Sequence, residues 1–419
     1  MSNLLQKASI ILTPTAYSDG DLHCIKPNTA TGDFDFTRST TATRENSSGS
    51  IESVAANLPR IDYLGGTAHI LIEPQSTNFS RNSEQPATWH SSGNVTITAN
   101  ATTSPEGTIN SSLVVVNGSG GAVYARNLNN FPSGSGTQTV TLSCFVKYYN
   151  NQWVRLRSAF FSGSAANSKS SFFDIQNGVL GTVDSNHTAK IEDYGNGWYR
   201  CSITFDIDKD TDNNGYMQLE PMSGDNTNTF AAIGQGFYAF GSQGEELSFM
   251  TSYIPLPTSA SGTRNADVCD NSGSSDLINS PEGVLYAEIA ALVDDATRRT
   301  ISISDGTTSN RVMLRYDNAS NRIQGFIQVS GATNGNINTT SYTITNFLKI
   351  AYKWKAGDFA LWVNGSQAAT STDATSFSAD TLTVIDFHTN NSARYFGKVK
   401  CVAVFKEALT DAQLTSLTT

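Results

Sequence analysis

The stretch from Thr139 to Tyr148 has the sequence TVTLSCFVKY, in which apolar residues recur at every second position. This period of two predicts a β-strand with one face buried against a core. The same texture recurs through most of the chain after residue 85. Further predicted strands are Trp153–Arg157, Phe172–Ile175, Tyr199–Phe205, Val284–Ile289, Thr300–Ile303, Arg311–Tyr316, Arg322–Ile327, Leu348–Trp354 and Phe359–Val363.

Short polar turn signals separate these strands. Asn150-Asn151 and Asn177-Gly178 each predict a hairpin, and Asp305-Gly306 and Asn364-Gly365 are further turn signals. Helical patterns do not alternate with the strands, which favours sandwiches over parallel sheets. We therefore predict an all-β fold: a loop-rich N-terminal segment, two jelly-roll β-sandwiches and one short C-terminal helix.

The C-terminal helix is predicted from its capping residues. Thr410 is an N-cap with Gln413 three positions later, which is the capping-box spacing. Leu414 and Leu417 would dock the helix on the last sandwich. Texture changes along the chain, together with the Pro-, Ser- and Gly-rich loop 255–263, predict domains at residues 1–85, 86–265 and 266–419.

Composition excludes several classes of function. The chain has 419 residues, 27 basic and 37 acidic, and its net charge of −10 disfavours nucleic-acid binding. No stretch has the apolar length of a membrane helix, so we expect no membrane insertion. The first residues, MSNLLQK, lack the pattern of a signal peptide. The five cysteines are widely spaced, which favours reduced, buried thiols over a disulfide framework.

Several motifs resemble those of bacteriophage virion appendage proteins, the fibres and decorations of tails and heads. The segments that carry this resemblance are Asp35–Ser39, Ala42–Asn46, Pro59–Tyr63, Ile70–Asn78, Gly195–Arg200, Thr251–Pro255 and Thr263–Asp267. Such proteins have a jelly roll similar to a carbohydrate-binding module. The end of the chain, Val399–Phe405 followed by Leu409–Ala412, resembles concanavalin A-like, laminin-G-like domains.

The resemblance implies a structural protein on the virion surface, assembled in the host cytoplasm. Other virion proteins, further copies in a homotrimer and host surface glycans are its implied partners. Residues 1–85 would be the attachment segment, with Arg38, Arg44, Arg60 and Glu73 as its marked residues. The guanidinium group of arginine forms two hydrogen bonds with one carboxylate. These residues therefore either form ion pairs within the segment or anchor it to another subunit.

Glycan binding would use aromatic rings beside polar groups in a concave site. The candidate residues are Trp89, Tyr148, Tyr149, Trp153 and Trp362. The alternative for each is a place in a core, because large aromatics at alternate strand positions commonly pack inward.

Calcium is the one cofactor for which the sequence offers candidate ligands. The candidate ligands are Asp208, Asp210, Asp212 and Asn214, in a stretch whose spacing fits the opening of a calcium loop. Position 12 of that loop is Pro221, however, and the nearest acid, Glu220, is one place short. The alternative is an acidic, solvated hairpin loop.

Catalysis is not expected. None of the five histidines lies in an HExxH motif, and no GxSxG motif occurs. The adjacent acidic pairs Glu192-Asp193 and Glu245-Glu246 would face opposite ways in a strand, unlike a glycosidase pair. Besides a glycan-binding appendage, the alternatives are a decoration or scaffold subunit, a polysaccharide depolymerase and a bacterial adhesin.

Overall fold

The computed structural model describes residues 4–419 except 90, 120, 211–213 and 259. Its regular elements are almost all antiparallel strands, which confirms the predicted all-β class. Three short 3-10 helices occur at Leu5–Lys7, Ala30–Gly32 and Pro86–Thr88.

The middle of the chain forms a sandwich of two six-stranded sheets, which we call the middle sandwich. Its first sheet contains, in spatial order, Val95–Thr103, Ile109–Val116, Gly236–Glu245, Thr137–Tyr148, Trp198–Asp208 and Thr188–Asp193. Its second sheet contains Val179–Leu180, Lys169–Asp174, Trp153–Ala159, Asn214–Met222, Tyr124–Asn130 and Ser91–Gly93.

The C-terminal region forms a second sandwich from an eleven-stranded and a five-stranded sheet. The larger sheet contains, in spatial order, Val268–Asp270, Phe34–Thr37, Asp21–Lys26, Ile10–Ser18, Gly397–Phe405, Glu282–Ala291, Leu348–Lys355, Phe359–Val363 and Ser366–Ser371. Two further strands join it: His69–Ile72 pairs with Gly397–Phe405, and Ile61–Asp62 pairs with His69–Ile72. The smaller sheet contains Ala332–Thr339, Ile323–Val329, Arg311–Tyr316, Arg299–Ser304 and Val384–Asp386.

The N-terminal strands belong to this C-terminal sandwich. Ile10–Ser18 and His69–Ile72 both pair with Gly397–Phe405, and Phe34–Thr37 pairs with Val268–Asp270. Two-stranded sheets complete the segment: Ala42–Glu45 with Ile51–Val54, and Ser76–Asn78 with Gly262–Arg264. The division at residues 85 and 265 stays a prediction, but strands from residues 10–72 pair in one sheet with strands from residues 268–405.

The stretch Thr139–Tyr148, with its apolar residues at every second position, lies at the centre of the first sheet of the middle sandwich. Val140, Leu142, Cys144 and Val146 are fully buried in its core, as their alternation predicts. Cys144 lies opposite Cys201, and both are free thiols. Each fully buried apolar side chain of this size contributes about 1.5–3 kcal/mol through loss of water contact.

The hairpin predicted at Asn150-Asn151 is wrong. Thr137–Tyr148 lies in the first sheet and Trp153–Ala159 in the second, so this connection crosses from one sheet to the other. Asn151 is buried and donates from Nδ2 to the carbonyl of Trp153 at 2.6 Å, which holds the crossing in place. The hairpin at Asn177-Gly178 is confirmed, because Phe173 and Asp174 pair with Leu180 and Val179.

The C-terminal helix spans Asp411–Thr418, and both hydrogen bonds of the predicted capping box are present. Leu414 and Leu417 are buried on the outer face of the eleven-stranded sheet, together with Trp362. We expect Leu414→Ala to lower the free energy of unfolding by about 2–5 kcal/mol, because it leaves a cavity under the helix. Urea denaturation measures this, with the exposed Ser416→Ala as the control, which should change stability by less than about 0.5 kcal/mol.

Candidate functional site

A buried cluster of charged side chains joins the N-terminal segment to the chain that follows the middle sandwich. Arg60 is fully buried; it donates from Nη1 to Glu73 Oε2 at 2.7 Å and from Nη2 to Asp267. Arg38 donates from Nη1 to the other oxygen of Asp267 at 2.9 Å. Arg264 Nη1 lies 3.3 Å from Glu73 Oε2. We call these five residues the arginine–carboxylate cluster.

Three of the four marked residues of the predicted attachment segment therefore lie inside this chain. Arg38, Arg60 and Glu73 are at most 3% exposed, so in this conformation they are out of reach of another subunit. Arg44 is half-buried; it donates from Nε to Glu52 at 2.7 Å, within its own hairpin. The geometry favours their interpretation as intramolecular staples, while a role of the segment in attachment stays a prediction.

The cluster makes stability dependent on pH. Burial alone would raise the pKa of Glu73, but Arg264, Arg60 and hydrogen bonds from Ser252 outweigh it and hold the pKa at about 2. The pKa in the unfolded chain is about 4.3. A depressed folded-state pKa stabilises the protein above the unfolded value, and this contribution is lost as pH falls from about 4.3 towards 2.

We accordingly expect the thermal midpoint to fall steeply below pH 4.5. Glu73→Gln removes the titrating group, so the variant should be less stable at pH 7 and should lose less stability between pH 4.5 and 2.5. Calorimetry across this pH range checks the result. Equal slopes for the wild type and the variant would contradict the assignment to Glu73.

A second arrangement is partly exposed, on the outer face of the second sheet of the middle sandwich. Tyr124, Arg126, Phe160 and Tyr216 lie together there, and we call them the aromatic platform. The guanidinium carbon of Arg126 lies 4.6 Å from the ring centroid of Tyr216, 4.8 Å from that of Tyr124 and 5.1 Å from that of Phe160. Cation–π attraction at these distances fixes the rings relative to one another.

Three strands bring the platform together. Tyr124 and Arg126 are two residues apart on one strand, so both face outward. Tyr216 lies on the neighbouring strand and pairs with Ala159 of the third, whose end is followed by Phe160. The rings of Phe160 and Tyr216 are 5.7 Å apart and nearly perpendicular.

Phe160 is the most unusual member of the platform. Its side chain is 56% exposed, although the adjacent Phe161 is fully buried in the core. Its φ is 63°, in the left-handed region that bulky residues rarely occupy. Strain of this kind costs about 1–3 kcal/mol and clusters at functional sites. Phe160 is therefore both exposed to solvent and held in an energetically costly backbone conformation.

The aromatic residues predicted from the sequence do not form one site. Trp89 is 7% exposed in the core of the middle sandwich, and Trp362 is 7% exposed beneath the C-terminal helix. Tyr148 and Tyr149 are exposed at the end of the first sheet, where Tyr149 contacts the ring of Tyr238. Trp153 is half-buried on the second sheet, at the opposite end of its strand from Phe160. A sugar could reach the last three residues, but not the two buried tryptophans.

The platform could not be predicted from the sequence, because its residues are far apart in the chain. The available signals were the alternation of Tyr124 and Arg126 and the pair Phe160-Phe161, in which one ring must leave the core. Neither signal identifies the neighbouring strands. Only the pairing of three strands shows that the rings meet.

Two of the predicted calcium ligands, Asp208 and Asn214, lie at the ends of strands that belong to different sheets of the middle sandwich, so the connection between them is not a hairpin. Asp208 accepts the backbone N–H of Asp210 at 3.0 Å, and Asp210 accepts that of Gly136 at 3.2 Å. Asn214 begins the next strand. Asp212 lies outside the described residues. The carboxylates of Asp208 and Asp210 thus brace the loop backbone, and calcium binding stays a prediction.

A different group of potential ligands lies in the C-terminal sandwich: Asp270, Asp386 and His388, all buried. His388 Nδ1 accepts the N–H of Asn391 at 3.2 Å, so in the neutral ring Nε2 holds the proton. That nitrogen faces Asp270 at 3.3 Å, and Arg394 lies 3.2 Å from the same carboxylate. A metal on Nε2 would leave the ring proton on Nδ1, where the N–H of Asn391 already points, so this group fits a cluster of hydrogen-bonded and charged side chains better than a metal centre.

The chain thus forms two antiparallel β-sandwiches, and the middle sandwich carries a partly exposed aromatic platform. Residues 289–415 match the Laminin_G_3 model of the concanavalin A-like lectin/glucanases superfamily. This match lies within the C-terminal sandwich, without its N-terminal strands, and confirms the laminin-G-like fold predicted for the end of the chain.

Solved structures with a similar fold include several carbohydrate-binding and laminin domains. The CBM40 of the Ruminococcus gnavus IT-sialidase, bound to α2,3-sialyllactose, is 15% identical, with coverage of 36% of this chain and 94% of that chain and a TM-score of 0.30. Domain 4 of the Geobacillus stearothermophilus arabinanase AbnA, in complex with arabinotriose, is 13% identical, with coverage of 37% and 73% and a TM-score of 0.31. Domains LG4–5 of the mouse laminin α1 chain are 9% identical, with coverage of 70% and 96% and a TM-score of 0.23. None of these likenesses bears on the ligand of this chain.

The curated proteins contain no significant match to the chain. Among the described residues, no helix combines the length and the apolar character that crossing a bilayer requires.

Proposed function

We propose that the protein is a non-enzymatic surface protein of a bacteriophage virion, and that its aromatic platform binds glycans. The platform is the observation that carries the binding role. The faces of aromatic rings pack against the C–H faces of sugar rings, and polar groups at their edges orient the sugar. Gln218 pairs with both Arg126 and Arg157 in the sheet register. Gln218 is buried and donates to Glu220, so the half-buried Arg157 is the polar side chain beside the rings that a sugar could reach.

The virion setting rests on the sequence motifs of the N-terminal and middle regions. In this proposal the protein is a fibre or another appendage, forms a homotrimer and contacts other virion proteins. Mass spectrometry of particles purified from the bacterium that carries the sequence tests this setting. The proposal expects the chain in intact particles at a copy number divisible by three, and its absence from them would overturn the virion assignment.

Binding is tested separately with the full-length recombinant protein. We expect saturable binding to host cells and to their purified surface polysaccharide. Addition of a calcium chelator decides whether the loop of Asp208, Asp210 and Asn214 contributes. A folded, correctly assembled protein that binds neither would favour a decoration or scaffold subunit, and release of reducing ends from the polysaccharide would favour a depolymerase.

A further inference from the structure

A cavity of about 320 Å³ lies beside the arginine–carboxylate cluster, away from the aromatic platform. The hairpin of Ala42–Glu45 and Ile51–Val54 forms one wall, and the strand Gly262–Arg264 forms another. Cavities of 300–1,000 Å³ commonly hold small ligands, whereas one water occupies about 30 Å³. The space is thus large enough for a ligand the size of a monosaccharide.

Arg264 is the charged residue of this cavity, and its donors are incompletely used. It is 1% exposed. Its Nη2 donates to the carbonyl of Pro74 at 2.9 Å. Within the described part of the chain, Nε makes no hydrogen bond, and Nη1 makes none although it lies 3.3 Å from Glu73 Oε2. A buried donor without an acceptor is costly, so a ligand that supplies an acceptor would be favoured here.

The charge balance around Arg264 favours an anion over a neutral ligand. The arginine–carboxylate cluster contains three arginines and two carboxylates. Further out, the buried Glu245 acts on both Arg264 and the buried Arg200, and Glu192 acts on Arg200 as well. Within ion-pair distance, however, three arginines share two carboxylates. An uncompensated buried positive charge is expensive, and a water molecule can satisfy a donor but cannot balance the charge.

We propose that this cavity binds a carboxylate or a related small oxyanion, with Arg264 as its counter-ion. The hydroxyl groups of Thr41 and Ser53 line the same space and supply hydrogen-bond donors for further oxygens of the ligand. Guanidinium groups pair preferentially with planar carboxylates, and a uronic acid combines that group with the size of the cavity. This site goes beyond the glycan-binding role of the platform and does not depend on it.

Isothermal titration of the full-length protein with three probes tests the proposal. Glucuronate supplies a carboxylate on a sugar, inorganic phosphate supplies an oxyanion without a sugar, and glucose supplies the sugar without the charge. We expect glucuronate to bind and glucose not to bind. Binding of phosphate as well would assign the site to oxyanions in general, and its absence would assign the site to carboxylates.

Variants locate the site. Arg264→Gln removes the counter-ion, and Ser53→Tyr fills the cavity from an exposed position without altering the arginine–carboxylate cluster. Each should weaken glucuronate binding at least tenfold, while Ser47→Tyr, at the exposed tip of the same hairpin, should not.

If Arg264→Gln does not fold, Ser53→Tyr decides alone. The proposal is overturned if neither oxyanion binds to the wild type, or if Ser53→Tyr leaves binding unchanged. Phe160→Ala should leave it intact, which separates this site from the platform.

Discussion

Arg60→Ala is expected to destabilise the protein by about 3–5 kcal/mol. Arg60 is fully buried and binds both carboxylates of the arginine–carboxylate cluster. Removal of one partner from a buried ion pair leaves the remaining charge without compensation, and here Glu73 and Asp267 both lose a partner. Denaturant unfolding at pH 7, with the midpoint and the slope measured together, gives the change in free energy.

Arg44→Ala is the matched control. Arg44 also pairs with a carboxylate, Glu52, but that pair is partly exposed to solvent. Exposed pairs contribute about 0–1 kcal/mol, so the control should lose far less stability than Arg60→Ala. Equal losses for the two variants would mean that burial of the cluster does not determine its energy.

The structural reason for this large effect is the position of the cluster. Arg60 also donates from Nη1 to the hydroxyl of Ser252 at 2.7 Å, so it connects residues 192 positions apart in the chain. Thr43, in the hairpin Ala42–Glu45, donates to the carbonyl of Tyr253 at 2.5 Å. Loss of Arg60 therefore weakens contacts of the N-terminal segment with the end of the middle sandwich.

The second large effect concerns ligand binding. Phe160→Gly is expected to weaken glycan binding tenfold or more, equivalent to a loss of about 1.4 kcal/mol or more. Glycine removes the exposed ring but accepts the positive φ of this position without strain. Relief of that strain offsets the lost cation–π contact with Arg126, so we expect the stability to change by less than about 1 kcal/mol.

Tyr149→Ala is the control for the binding measurement. Tyr149 is 44% exposed, comparable to Phe160, but it lies at the end of the first sheet. Biolayer interferometry against the host polysaccharide gives the affinities, and thermal unfolding gives the stabilities. If Phe160→Gly lowers affinity and stability together, the ring has a structural role. If Tyr149→Ala alone lowers affinity, the binding site lies on the first sheet.

The sequence was sufficient for features that depend on neighbouring residues. The alternation of Val140, Leu142 and Cys144 predicts a strand because burial of one face requires that period, and the capping box at Thr410 predicts where the helix begins. The turn at Asn177-Gly178 could also be predicted from adjacent residues, because glycine adopts the positive φ that such turns require. In the structure Gly178 has a φ of 70°.

Features that depend on distant residues could not be predicted. Asn150-Asn151 has the chemistry of a hairpin turn, but packing of two sheets made it a crossing between them. The pairing of Ile10–Ser18 with Gly397–Phe405 leaves no local signal in either segment. The arginine–carboxylate cluster and the aromatic platform follow from such pairings, so the resemblance pointed to the arginines without showing that they are buried.

The central claim is that the aromatic platform binds glycans, and a glycan array tests it most directly. The full-length wild type, Phe160→Gly and Tyr149→Ala would be applied at equal concentration after each is shown to be folded. The account predicts that the wild type and Tyr149→Ala bind the same set of glycans, and that Phe160→Gly loses them. Absence of binding by the folded wild type, or an unchanged glycan profile for Phe160→Gly, would contradict it.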